Sequence, residues 1–152
     1  MINKKTFGFW LLISLGLVLT AFLVLGQTLS LFNYEGAVRF GMQESITEVG
    51  ATGVAYGKGF AFSDTIIYLP LLILGLIGIT MGKNWGLFSM FGALAISLYW
   101  PIVCLFSIYI GKSSMALSPD KYISYPIVLG IVIVYSIFGL WFLYKNQKLI
   151  LN

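Results

Sequence analysis

The stretch FAFSDTIIYLPLLILGLIGITM (residues 60–81), followed by GKN (82–84) and WGLFSMFGALAISLYWPIVCLFSIYI (85–110), decides the fold. Each of the two apolar runs exceeds the roughly 20 residues that cross the hydrocarbon core of a bilayer as an α-helix. No water satisfies backbone groups in hydrocarbon, so runs of this length must be helical. The short link Gly82-Lys83-Asn84 folds them into an antiparallel hairpin. Working outward, Phe7–Phe32 and Ile123–Tyr144 are two further runs of the same kind. The sequence therefore predicts an all-α integral membrane protein. It is a four-transmembrane-helix bundle and a single membrane domain over residues 1–152, with spans at about 7–32, 60–81, 85–110 and 123–144 and a long first extracytoplasmic connection.

Composition agrees. Hydrophobic residues make up 59% of the chain and charged residues 9%, about a third of the charged share of a soluble domain. The formal charge of +4 is spread through the connections. No basic patch interleaved with aromatics is present, so nucleic acid is excluded as a partner. The aromatic content fits interfacial anchoring and packing within the membrane.

The chain has no histidine and a single cysteine, Cys104. That removes His-based proton relays, serine–histidine pairs and HExxH metal sites. It also removes internal disulfides and redox CxxC pairs. Cys104 reads as a small buried residue of the third span, because hydrocarbon disfavours its thiolate. No catalytic residue, metal site or cofactor motif stands out, and the reading leans away from an enzyme.

Lys4 and Lys5 before an apolar run resemble a signal peptide, but the run exceeds a secretory h-region and reads as an uncleaved first span. Lys4, Lys5, Lys83, Lys145 and Lys148 share one side of the membrane without any acid. Arg39, Lys58, Lys112 and Lys121 lie on the other side with all five acids. The basic excess places both termini in the cytoplasm and the protein in the cell (plasma) membrane.

The first connection, residues 33–59, is too long for a plain linker in so compact a chain. Met42, Ile46, Val49, Gly53 and Tyr56 recur at helical spacing, which predicts a surface amphipathic helix from about Phe40 to Tyr56, closed by Gly50, Gly53, Gly57 and Gly59. A loop that merely covers the bundle end is the alternative. Glu44 and Glu48 stand one helical turn apart and read as a solvated edge rather than a metal or acid–base pair, since further ligands are lacking.

Asp64 opens the second span between apolar neighbours. An acid there is either a helix N-cap at headgroup level or a ligand or proton site. Pro70 and Pro101 fall inside helices, at similar depth in the outer half of the bilayer, where each frees a carbonyl and bends its helix. Two such kinks splay the outer end of the hairpin. The expected cavity is lined by Tyr68, Tyr99, Trp100 and Tyr125, with Asp64 at its mouth and Glu44 above it. Small-residue stripes at Ser89/Ala93/Ser97, Gly78/Gly82/Gly86 and Gly16/Thr20 allow close helix contacts, within the monomer or between copies.

The layout of four spans with a long first connection is shared by claudins and tetraspanins, but the cysteines those families depend on are absent. Small multidrug transporters carry an acid in span one, where this chain has no charge. The sequence thus reads as a multi-pass membrane protein binding a lipid or small molecule in an outward-facing cavity, as a possible transporter component. The alternative is a non-catalytic subunit or modulator of a larger membrane complex. Membrane lipid, a small-molecule ligand, and a partner membrane protein or second copy are the corresponding partners.

Overall fold

The computed structural model describes residues 6–151; Lys4 and Lys5, which weigh in the orientation, lie outside the described residues. Four long helices and one short one account for most of the chain: α1 (Phe7–Phe32), α2 (Tyr34–Arg39), α3 (Ile46–Thr80), α4 (Asn84–Gly111) and α5 (Lys121–Ile150). No strand occurs among the described residues. α1, α3, α4 and α5 are each long and apolar enough to cross a membrane. The molecule is an all-α, four-helix integral membrane bundle. α3 packs on α4, α4 on α5, and α1 closes the ring by touching α3 and α5.

The half of the bundle at the Gly82 turn (the inner half, the opposite end being the outer) is built on backbone contact. Gly78 and Gly86 face each other across the α3–α4 hairpin, so closely that a Cβ on either would collide with the other's main chain. One turn further on, a Cβ on Gly75 would stand 2.8 Å from Met90 Cα. The hairpin turns at Gly82, whose φ of 67° is left-handed. There Lys83 N–H donates to the Gly78 carbonyl at 2.8 Å and Gly82 N–H to the Ile79 carbonyl at 3.2 Å, a Schellman end that satisfies the last carbonyls of α3. Around this seam Phe9, Leu12, Leu72, Ile79, Met90, Leu94 and Leu143 are fully buried. The stripes read from the sequence are spent inside the monomer: Ala93 and Ser97 are buried, and Gly16 sits under Leu76 and Tyr135.

The outer end departs from the sequence reading. The first connection is not one surface helix. α2 is capped by Asn33, whose Oδ1 accepts the Gly36 N–H at 2.9 Å, and it ends at Gly41. α3 then starts at Ile46 and runs for 35 residues into the membrane without stopping at Gly53, Gly57 or Gly59. At 1.5 Å per residue that is about 52 Å against a hydrocarbon core of about 30 Å, so its first turns stand outside the membrane. Glycine lowers helix propensity by only about 1 kcal/mol per residue, and no proline occurs between Ile46 and Leu69. Only Gly50 breaks the register, with φ 71° and ψ 173°, a conformation open to glycine alone. That break, with the turn at Gly41, divides the apolar stripe of Met42, Ile46, Val49, Gly53 and Tyr56, and Ile46 and Tyr56 end up exposed.

The close approach of α3 and α4 has a direct test. Gly78→Ala or Gly86→Ala should lower the thermal unfolding midpoint in detergent, at a cost of about 1–3 kcal/mol for overpacking. Gly130→Ala, whose Cβ would meet nothing within 4 Å, should be neutral or should gain up to about 1 kcal/mol of helix propensity. Equal midpoints for all three variants would contradict the contact.

Candidate functional site

Two π-turns lie against each other in the outer half of the bundle, Val24–Thr28 in α1 and Asp64–Tyr68 in α3. Each inserts one extra residue into its helical turn. Leu29 N–H reaches back to the Val24 carbonyl, and Leu69 N–H to the Asp64 carbonyl. The usual acceptor of Leu69, the Thr65 carbonyl, loses that donor, and Pro70 has no N–H to offer the Ile66 carbonyl. Turns of this kind recur at functional sites, because they free backbone groups and re-aim side chains.

Polar side chains gather around the two turns. Gln43, buried above α1, donates from Nε2 to the Gly26 carbonyl at 2.9 Å and approaches Gln27 Oε1 at 3.4 Å. Thr65 donates to the Ala61 carbonyl at 2.8 Å. Its proton is thereby committed, so in the 3.1 Å contact between the two hydroxyls Thr28 is the donor. One turn deeper, Ser97 gives its proton to the Ala93 carbonyl at 2.8 Å, which makes Tyr68 the donor to Ser97. Tyr135 donates to the Leu12 carbonyl at 3.3 Å below it.

Asp64 stands among these groups and is the exception. It is 5% exposed, and its Oδ2 has no hydrogen-bond partner among the described residues. It is not a helix cap. The cap of α3 is Ser45, whose N–H and hydroxyl donate to Glu48 Oε2 at 2.8 and 3.0 Å. Asp64 lies far inside the helix, where the backbone N–H groups are already bonded. The capping expectation fails because the helix begins at Ile46, not at the membrane surface.

The other candidates are distributed unevenly. Tyr68 is buried and lies within electrostatic reach of Asp64, as does the Cys104 thiol of α4. Tyr125 and Glu44 meet directly, the phenol donating to Glu44 Oε1 at 2.6 Å. Trp100 is half-buried on α4. Tyr99 is 68% exposed on the outside of the bundle, so the structure does not bring it to Asp64. Pro101 is fully buried within an unbroken α4, while the local distortion beside Pro70 is the π-turn. Ser97, Thr28, Thr65, Gln27 and Gln43 were not singled out as site residues. Their signal was present as the polar interruptions Gln27-Thr28 and Ser63-Asp64-Thr65, about one turn inside the outer ends of two apolar runs. An open groove of about 460 Å³ runs along the lipid side of α3 over Ala55, Tyr56, Gly59, Phe60 and Ser63.

A polar latch closes the outer end. Glu48 pairs with Lys121 Nζ at 2.7 and 2.9 Å. Gly50 frees the Glu48 carbonyl, which accepts the Ala116 N–H at 2.8 Å and so ties the second outer connection to α3. Tyr34 donates to the Glu44 carbonyl at 2.9 Å, and Lys58 lies over the Tyr34 ring at 5.2 Å. Burial, with the Glu44 and Glu48 carboxylates nearby, pushes the Tyr34 phenol up. At Glu48 burial acts upward, but the hydrogen bonds from Lys121 and Ser45 outweigh it and hold the carboxyl down at about 2. Among the described residues no three acids or thiols are grouped to hold a metal ion. No known protein family, curated protein or solved structure matches the chain.

The latch sets a pH dependence. A depressed carboxyl contributes stability that is complete above its unfolded value near 4.5 and is lost as pH falls through about 2. Exchange of the Ala116 amide, relative to the unfolded-peptide rate, should stay slow down to about pH 4 and rise below about pH 3. Glu48→Gln should speed it roughly two- to five-fold at neutral pH, the range expected for a partly exposed ion pair. An unchanged rate in that variant would show that the pair does not hold the connection.

Proposed function

We propose that this integral membrane protein binds a small molecule in the outer half of its bundle, with Asp64 as the anchoring group. The observation that carries the reading is the buried Asp64 carboxyl, whose Oδ2 has no partner among the described residues. Ionisable groups inside membrane segments are costly, and those that persist serve ligand, ion or proton sites. Tyr68 supplies a phenol oxygen within electrostatic reach of the anchor, and Glu44, bonded to Tyr125, lies like Asp64 within reach of the Cys104 thiol. A site at this depth, under a latch made of side-chain bonds, suits a transporter component that loads from outside. The reading places the protein in the cell membrane with both termini in the cytoplasm, following the basic residues near the span ends.

A second reading, association with a partner membrane protein or a second copy, draws on the groove over α3. Ala55, Gly59 and Ser63 recur there every four residues on the exposed side, and small residues at that spacing admit a second helix closely. Tyr56 and Phe60 beside them suit a lipid chain equally well.

Native mass spectrometry after gentle solubilisation tests the first reading. A small molecule should leave with the wild-type protein and be retained at least about tenfold less by Asp64→Asn, the loss expected for about 1.4 kcal/mol of binding. Tyr68→Phe should weaken retention as well. Both variants should keep their helical circular dichroism. Wild-type retention in Asp64→Asn would remove the anchor, and a stoichiometric partner protein in place of a small molecule would favour the second reading. For orientation, Glu35→Cys in a Cys104→Ser background should react with an impermeant thiol reagent added outside intact cells. Labelling only after the cells are opened would reverse the topology.

A further inference from the structure

Resting on that reading, and going on to the class of ligand, we propose that Asp64 exchanges its proton for a monovalent cation, which binds at the carboxylate from the outer side. Three observations lead there. The first is charge. A lone carboxylate in a water-poor interior is strongly disfavoured unless it is neutralised by a proton or paired with a positive group. Among the described residues no cationic group pairs with Asp64. The one ion pair among the described residues is Lys121 with Glu48, and Lys58 is engaged over the Tyr34 ring.

The titratable and charged surroundings of Asp64 are few. α1 contributes Gln27 and Thr28, which do not titrate, and the whole of Phe7–Phe32 has no charge. α3 contributes Tyr68 and α4 the Cys104 thiol. On α5, Tyr125 is committed to Glu44, and Tyr135, within electrostatic reach of Tyr68, is committed to the Leu12 carbonyl. Glu44 of the first connection, another acid, lies like Asp64 within electrostatic reach of the Cys104 thiol. Each of these groups is neutral or acidic, so among the described residues the site is short of positive charge.

The second observation is valence. Among the described residues no group of three acids or thiols that could hold a metal ion includes Asp64, so a divalent ion would bring more charge than this one buried carboxylate cancels. A single positive charge is the match. The third is the oxygen character of the neighbourhood. The π-turn and Pro70 strip the Thr65 and Ile66 carbonyls of their usual helical donors, beside the Thr28 and Thr65 hydroxyls. Carbonyl, hydroxyl and carboxylate oxygens suit an alkali ion or a primary ammonium group alike. The exchange balances: the carboxylic acid and the cation give the carboxylate–cation pair and one proton, which leaves to water.

The experiment uses the full chain, purified and kept in weakly buffered detergent solution. Sodium chloride and ethylammonium chloride are added separately, at an ionic strength held constant with bulky N-methylglucammonium chloride. Infrared difference spectra of wild type against Asp64→Asn identify the carboxylic C=O stretch of Asp64. The expected result is loss of that stretch on adding one or both probes, with release of about one proton per chain. Apparent probe affinity should weaken by up to about tenfold for each pH unit below the titration of the site. Sodium alone would mark an alkali-ion site, and ethylammonium alone an organic amine. An acid stretch that neither probe displaces, or a carboxylate already ionised without either probe, overturns the exchange. Both outcomes leave the small-molecule reading to its own co-purification test. If Asp64→Asn does not fold, proton release from wild type and from Asp64→Glu decides the matter, since both retain an acid.

Discussion

In hydrocarbon a backbone amide has no partner except its own helix, and the rest of this structure follows from that constraint. It makes the four spans helical whatever their propensities, and it tolerates the glycines that continue α3 into the membrane. It also gives the two π-turns their meaning. A carbonyl released from the ladder at membrane depth must be met from elsewhere, and within the π-turn of α1 the Gly26 carbonyl takes a bond from a buried glutamine of another segment. Polar side chains of the outer half thus accompany the backbone irregularities.

The bundle is divided into two kinds of construction. Below Tyr68 the helices touch main chain to main chain at Gly75, Gly78 and Gly86, with aliphatic side chains around them. Above it the contacts are hydroxyls, amides and carboxylates joined one bond at a time. Rigid-body motion in the lower part would have to break a continuous seam of backbone contact. Motion in the upper part needs only the exchange of individual hydrogen bonds. The division places any rearrangement around Asp64 at the outer end.

Much of the fold was legible because span length and apolar content are direct consequences of bilayer thickness. The hairpin at Gly82 was equally readable, since three residues permit nothing else. The outer end was not. Glycines at 53, 57 and 59 look like a helix terminus in water, but here the stop signal is the Ser45–Glu48 capping box, which the sequence also contains. Asp64 drew attention as an ionisable group near a span end, yet its role depended on where α3 begins. Tyr99 and Tyr68 are indistinguishable as aromatic residues of prolyl neighbourhoods. Which of them faces inward depends on helix rotation, fixed by Ser97 and the glycine seam. π-turns leave no local sequence mark, because they arise from the match between neighbouring helices.

The glycine seam also bears on how the chain enters the membrane. The turn between α3 and α4 is the shortest between two spans, so bringing these two helices together costs the least loop entropy. Their contact needs no other span to complete it. Helices that are each stable across a bilayer associate only after insertion, through close packing of this kind. On loop entropy and backbone contact alone, α3 and α4 are the pair most favoured to associate first. The distorted turn of α1 packs on that of α3, so the Asp64 neighbourhood is complete only when both helices are in place.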